Sequence, residues 1–145
     1  RSIAVTGVQT CALPIYIDSK IDEVETLERI AMYWHDPADR DAIAAALDTL
    51  GGIEVTRSYA MNIEVMGEGA TKGTALTWLC EHLGERLVDA WAFGDNINDI
   101  PMLQAAGHGM AMINAEPEDR EAADAVTGYD NDHDGVAHTI MAALA

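Results

Sequence analysis

Trp91-Ala92-Phe93-Gly94-Asp95-Asn96-Ile97-Asn98-Asp99-Ile100-Pro101-Met102-Leu103 is the stretch on which the fold turns. An apolar run, Val88 to Phe93, stops at Gly94. Two carboxylates follow four residues apart, Asp95 and Asp99, with Asn96 and Asn98 between them, and a helix-like apolar pattern resumes at Ile100, Met102 and Leu103. A strand that ends in a Gly-Asp turn and leads into a helix sets its acidic side chains at the carboxyl edge of a sheet, where ligands bind in open α/β folds. Asp and Asn oxygens gathered there suit a hard cation such as Mg²⁺, which takes one or two carboxylates plus waters and substrate phosphate. Gly, Asp and Asn are also common turn formers. The full GDxxND pattern after a buried-type strand favours a metal or phosphate site over turn chemistry alone.

Beyond this stretch the chain alternates. The pattern predicts a strand over 88–93, helix 98–106, strand 108–112, helix 117–123, a short strand 124–127 and helix 134–144. Strands alternating with helices indicate an α/β, Rossmann-like parallel sheet with flanking helices. Upstream, Gly67 to Gly73 is a glycine-rich connection, and Ala70 to Leu83 reads as a helix with Leu76, Leu79, Cys80 and Leu83 on one face, ended by Gly84. Before it, Leu27–Trp34 reads as a strand, and His35-Asp36-Pro37 as a turn with Asp36 as N-cap. Ala38–Leu50 reads as a helix ended by Gly51-Gly52, and Ile53–Ser58 and Met61–Met66 as a hairpin. These form part of a small α+β module. Residues 17–66 are therefore assigned to that module and 67–145 to the parallel core. Arg1 to about Tyr16 resembles translated adapter read-through and is set apart as a non-native leader, the alternative being a strand from Ile3 to Val8. On that expectation the natural protein is longer.

Composition narrows the partners. Twenty-five acidic against eight basic side chains give a net charge of −17. Such a surface repels nucleic acid and anionic membranes. Two cysteines, Cys11 and Cys80, lie far apart without zinc-type spacing, which points to a reducing, cytoplasmic compartment. No apolar run approaches the roughly 20 residues of a spanning helix. Met102, Met110, Met112 and Met141 are expected to fill core gaps.

Lys72 stands in the glycine-rich connection at the start of a helix, where free amides favour anions and an ammonium adds a point charge for phosphate. One helix and one strand separate it from Asp95, the length of an α/β crossover that can return both to one sheet edge.

With these residues the chain resembles the C-terminal part of a haloacid dehalogenase-superfamily phosphatase of the Cof-like type with a type-two cap. NIEVMGEGATKGTALTWL, WAFGDNINDIPML, GMAMINAEPEDREAADAVT and DNDHDGVAHTI carry the resemblance, which runs from about Leu27 to Leu144. It implies that residues 17–66 are a remnant of an α+β cap and that the substrate is a small phosphorylated metabolite such as a sugar phosphate, with Mg²⁺ as cofactor. It implies further that Lys72 holds the nucleophile and the transferring phosphoryl group and that Asp95 is a direct metal ligand. Asp99 is the second acid, binding the metal through water or orienting the lysine, and Asn98 supports the metal–phosphate site. Asn114, at the same sheet edge, either positions the lysine or its loop or belongs to a plain turn.

The resemblance also marks what is missing. No DxDG followed by Thr or Ser occurs, so the aspartate nucleophile is not in these residues, and the second motif is unassignable. The chain itself is expected to be inactive and marginally stable, and to bind Mg²⁺ only in the millimolar range. The alternative reading is a noncatalytic acidic α/β module that binds a cation, phosphate or partner. A cation-transporting ATPase also uses a GDxxND hinge, but this chain ends in an ordinary amphipathic helix, Gly135 to Leu144. His133 and His138 superficially suggest metal ligands, and a loop and helix start is the preferred reading there. Oligomeric state is not legible.

Overall fold

The computed structural model describes residues 28–34, 36–59 and 61–145. The expectations for the leader and for residues 17–27, His35 and Ala60 lie outside them. Two units are distinct, one ending at Glu68 and one spanning Gly69–Ala145.

The first unit holds β1 (Arg29–Tyr33), α1 (Pro37–Leu47), β2 (Ile53–Thr56) and β3 (Asn62–Gly67). The Asp36 side chain accepts from the Ala38 amide at 2.9 Å, and Pro37 opens the helix, the N-terminal chemistry its sequence predicts. The helix closes at Leu47, earlier than Leu50, because Thr49 Oγ1 and the Leu50 amide turn back onto the carbonyls of Ala46 and Leu47. β3 is the central strand, antiparallel to β1 and to β2. One of its faces is polar and buried. Asn62 receives the amides of Ser58 and Tyr59 on Oδ1 and donates to Ser58 Oγ and Glu64 Oε1, while Arg29 donates to Glu64 Oε2. This network fixes the turn before β3 and satisfies groups that would be costly to bury alone.

The second unit builds a parallel sheet. It contains α2 (Lys72–Leu83), β4 (Trp91–Gly94), α3 (Ile100–Ala105), β5 (His108–Ala111), α4 (Pro117–Ala122), β6 (Ala125–Val126) and α5 (Gly135–Ala143). β4, β5 and β6 are neighbours in that order, with Trp91 opposite His108 and Met110 opposite Ala125. Thr71 and Thr74 form a reciprocal cap that starts α2 at Lys72 rather than Ala70, and Gly84, at φ 73°, ends it in the left-handed region. β4 starts later than the apolar run suggests. The Asp89 and Ala90 amides bond the carbonyls of Arg86 and Leu87, which closes a single 3₁₀ turn at Leu87–Asp89.

The core is made largely of small side chains: Ala92, Leu103, Ala111, Met112 and Ala115 are buried, with Leu76, Phe93 and Met102 packed against them. Small residues let α2, α3 and the sheet approach closely. Cys80 is buried as expected, yet Leu79 and Leu83 are 45% and 63% exposed, so the apolar face of α2 is narrower than its sequence pattern. Met141 is 69% exposed and fills no core gap. No described helix is long and apolar enough to cross a membrane.

Candidate functional site

The turn after β4 is shaped by Gly94 and Asp99. A Cβ on Gly94 would stand 2.4 Å from the Asp99 Cβ, so the strand can end here only without a side chain. The Asp99 amide donates to the Asn96 carbonyl at 2.7 Å, which curls Ile97–Asp99 into a 3₁₀ turn. Asp99 is only 5% exposed. Its Oδ2 accepts the amides of Asp95 and Asn96 at 3.1 and 3.2 Å, and its Oδ1 accepts from Lys72 Nζ. Both oxygens are thus engaged, one by backbone and one by the lysine.

Lys72 arrives from the first residue of α2 with its side chain about half exposed. Its approach depends on the next residue. A Cβ on Gly73 would meet the Pro101 carbonyl oxygen at 2.3 Å, so the bare backbone there lets the start of α2 lie against the start of α3. Lys72 and the turn after β4, separated by a helix and a strand in sequence, thus meet through Asp99.

Asp95 and Asn98 occupy the same turn, half-buried. Asp95 Oδ1 accepts from Asn96 Nδ2 at 3.2 Å, and the Asp95 carbonyl accepts the Glu116 amide at 3.1 Å, which ties the turn to the start of α4. Asn98 Oδ1 is buried without a hydrogen-bond partner among the described residues. An orphaned amide oxygen in the same turn as the Asp95 carboxylate is of the hard, oxygen-only donor type that Mg²⁺ prefers, so the chemistry of these residues fits that ion. Among the described residues no three His, Cys, Asp or Glu side chains are grouped closely enough to hold a metal directly. A cation here would therefore keep much of its water.

One acid of this region is not visible from motif spacing. Asp119, in α4, is fully buried, and neither carboxylate oxygen has a hydrogen-bond partner among the described residues. Burial, reinforced by the charges of Asp99 and Asp95 and opposed by Lys72, pushes its carboxyl up to about 6. The available signal is weak: Ala115, Ala122 and Ala123 lie three or four residues from it, but so does Glu116.

The remaining candidates sit elsewhere. Asn114 donates from Nδ2 to Asn131 Oδ1 at 2.9 Å and accepts the Asn131 amide, so it joins two loops. His133 bonds Asp130 and holds that carboxyl below its ordinary range, and His138 stacks on Tyr129 with ring centroids 4.4 Å apart.

Comparison with known proteins supplies an independent line. A family model described as haloacid dehalogenase-like hydrolase matches residues 9–140. The Bacillus subtilis 5-amino-6-(5-phospho-D-ribitylamino)uracil phosphatase YcsE is 43% identical over 88 residues, covering 61% of this chain and 35% of that protein. The Escherichia coli pyridoxal phosphate phosphatase YbhA is 40% identical over 93 residues, covering 64% and 34%. The solved structure of a haloacid dehalogenase-like hydrolase from B. subtilis superposes with a TM-score of 0.78 at 32% identity, covering 85% of this chain and 44% of that one. The chain thus spans between about a third and under half of the length of these relatives.

Proposed function

Because this chain belongs to the haloacid dehalogenase-like hydrolases, we propose that it is the lysine- and metal-bearing part of a phosphatase for small phosphate monoesters, sugar phosphates among them. The observation that carries the reading is the convergence of Lys72, Asp95, Asn98 and Asp99 at one end of β4. Relatives named for a phosphoribityl pyrimidine and for pyridoxal phosphate point to small phosphorylated metabolites as the substrate class. A net charge of −17 suits such a partner better than nucleic acid, and the two widely spaced cysteines suit a cytoplasmic setting.

Each residue then has a chemical task. Asp95 and Asn98 supply the oxygens that hold Mg²⁺. Bound there, the ion neutralises charge on the phosphoryl oxygens. Lys72 places a second positive charge on the same phosphoryl group. Asp99 positions that ammonium through Oδ1 while Oδ2 holds the turn closed. The free amides at the start of α2 add a positive potential for an anion. Covalent transfer to an aspartate requires a DxDG(T/S) sequence, which these 145 residues do not contain. The aspartyl-phosphate step therefore belongs to the full-length protein.

The test is binding first and turnover second. Mn²⁺, as a spectroscopic substitute for Mg²⁺, is titrated into the chain and the free ion counted by electron paramagnetic resonance. Millimolar affinity that disappears in Asp95→Asn is expected; no detectable binding, or affinity indifferent to Asp95→Asn, overturns the assignment. With a generic aryl phosphate and Mg²⁺, no hydrolysis above background is expected. Turnover abolished by Asp95→Asn would show that the nucleophile is not where this reading puts it.

A further inference from the structure

The described part of the second unit contains three buried acceptor oxygens with no donor: Asn98 Oδ1 and both carboxylate oxygens of Asp119. Buried acceptors without donors are rare in folded proteins, and each costs on the order of a hydrogen bond's desolvation. Asp119 is an extreme case, being fully buried and acidic. A core position in α4 that served packing alone would be better filled by an apolar side chain. The charges that act on it identify its surroundings: Asp99 and Asp95 from the turn after β4, Lys72 from the start of α2, and Glu116 from the start of its own helix. The backbone gives the geometry: the N-cap of the helix that carries Asp119 is Glu116, whose amide bonds the Asp95 carbonyl at 3.1 Å, so Asp119 stands one helical turn along from a direct contact with the turn of the proposed cation site.

Direct ligation does not describe its place. Asp95, Asp99 and Asp119 do not close into a three-acid cage, since no such group exists among the described residues. Mg²⁺ keeps several of its waters in protein sites, and those waters are strong donors. Acceptors without donors and a hydrated cation without acceptors complete each other.

Resting on the phosphatase reading above, we propose that Asp119 is a positioning residue of the cation site: it accepts hydrogen bonds from water ligands of a divalent cation held by Asp95 and Asn98, and so raises the affinity of the site. This accounts for a fully buried acid in α4 and for the lack of a donor to it among the described residues. It also assigns distinct tasks to the acids of the region, Asp95 toward the ion, Asp99 toward Lys72, and Asp119 toward the ion's water.

The experiment is the Mn²⁺ titration of the full chain, with Asp119→Asn, Asp119→Val and, as a control that removes an exposed charge one residue away, Glu118→Gln. Circular dichroism verifies that each variant is folded. Loss of an outer acidic partner weakens metal binding by roughly tenfold. A rise of that order in Kd is expected in both Asp119 variants, with less than about a twofold change in Glu118→Gln. A folded Asp119 variant with wild-type affinity overturns the inference, and so does an equal loss in Glu118→Gln, which would make the effect one of overall charge. If the wild-type chain itself binds no Mn²⁺, the cation site falls and this inference with it. If the wild type binds and Asp119→Asn binds equally well, only the role of Asp119 is lost.

Discussion

Asp119→Asn is expected to stabilise the metal-free protein near neutral pH and to leave it unchanged in acid. The folded-state carboxyl is raised from 3.8 to about 6, chiefly by burial. A raised acid holds its proton longer in the folded state than in the unfolded chain. Between about pH 4 and pH 6 the folded protein therefore carries more protons, and its stability falls as the pH rises through that window. Above it the penalty is fully present. Two pKa units at about 1.4 kcal/mol each set an upper value of about 3 kcal/mol. Asparagine removes the charge but stays polar, so a net gain of about 1–2 kcal/mol is the reasonable expectation. Urea unfolding is followed by tryptophan fluorescence, since Trp78 and Trp91 report on the second unit. It is run for both proteins at several values between about pH 4 and pH 7.5, without divalent cation. The gap between the two curves should be near zero at the acid end and open with rising pH. A gap that is constant with pH, or a variant less stable than wild type at neutral pH, refutes the reasoning.

Four further outcomes follow from the same geometry. Asp99→Ala strips acceptors from two backbone amides and from Lys72, and should destabilise the chain by about 2–4 kcal/mol in urea titrations; Asp99→Asn, which can still receive the amides but turns a donor toward Lys72, should cost less. Gly94→Ala forces a methyl to within 2.4 Å of the Asp99 Cβ, and should lower the thermal midpoint and shift the amide NMR resonances of Asp95 and Asn96. Thr71→Ala removes the cap of α2 and should cost about 1 kcal/mol by thermal unfolding. Asp95→Asn should abolish Mn²⁺ binding while leaving the urea stability within about 0.5 kcal/mol, because among the described residues the Asp95 side chain accepts one hydrogen bond, from its neighbour Asn96.

Crossover length made legible the return of Lys72 to the sheet edge that holds Asp95, because parallel topology leaves few ways back to the same edge. Its partner there is Asp99, a pairing that the family resemblance offered and the spacing did not. Strand and helix ends were less legible. Val88 is apolar, but the backbone at Asp89 and Ala90 is drawn into a local 3₁₀ turn, a choice that hydrophobic pattern does not encode. Leu79 and Leu83 share the period of Cys80, yet only Cys80 and the partly buried Leu76 face the core, since periodicity gives an angle and not the width of what covers it. Asp119 escaped because motif spacing is read between residues near in sequence, whereas its neighbours Asp95, Asp99 and Lys72 come from two other segments.

The dipeptide Lys72-Gly73 has a consequence for how this region tolerates change. One residue contributes a charge that reaches Asp99; the next contributes the lack of a side chain that admits the Pro101 carbonyl. Both requirements fall on consecutive positions of one helix, and they are answered by Asp99 and Pro101, two residues apart where the 3₁₀ turn runs into α3. Sliding either segment by one residue would rotate a helical position by about 100° and spoil the ion pair and the backbone approach together. Single insertions or deletions between Lys72 and Leu76, or between Asp99 and Leu103, should therefore be far less tolerated than in the exposed loop at Gly128–Tyr129. A deletion scan of this region would show that asymmetry as two sharp, matched minima.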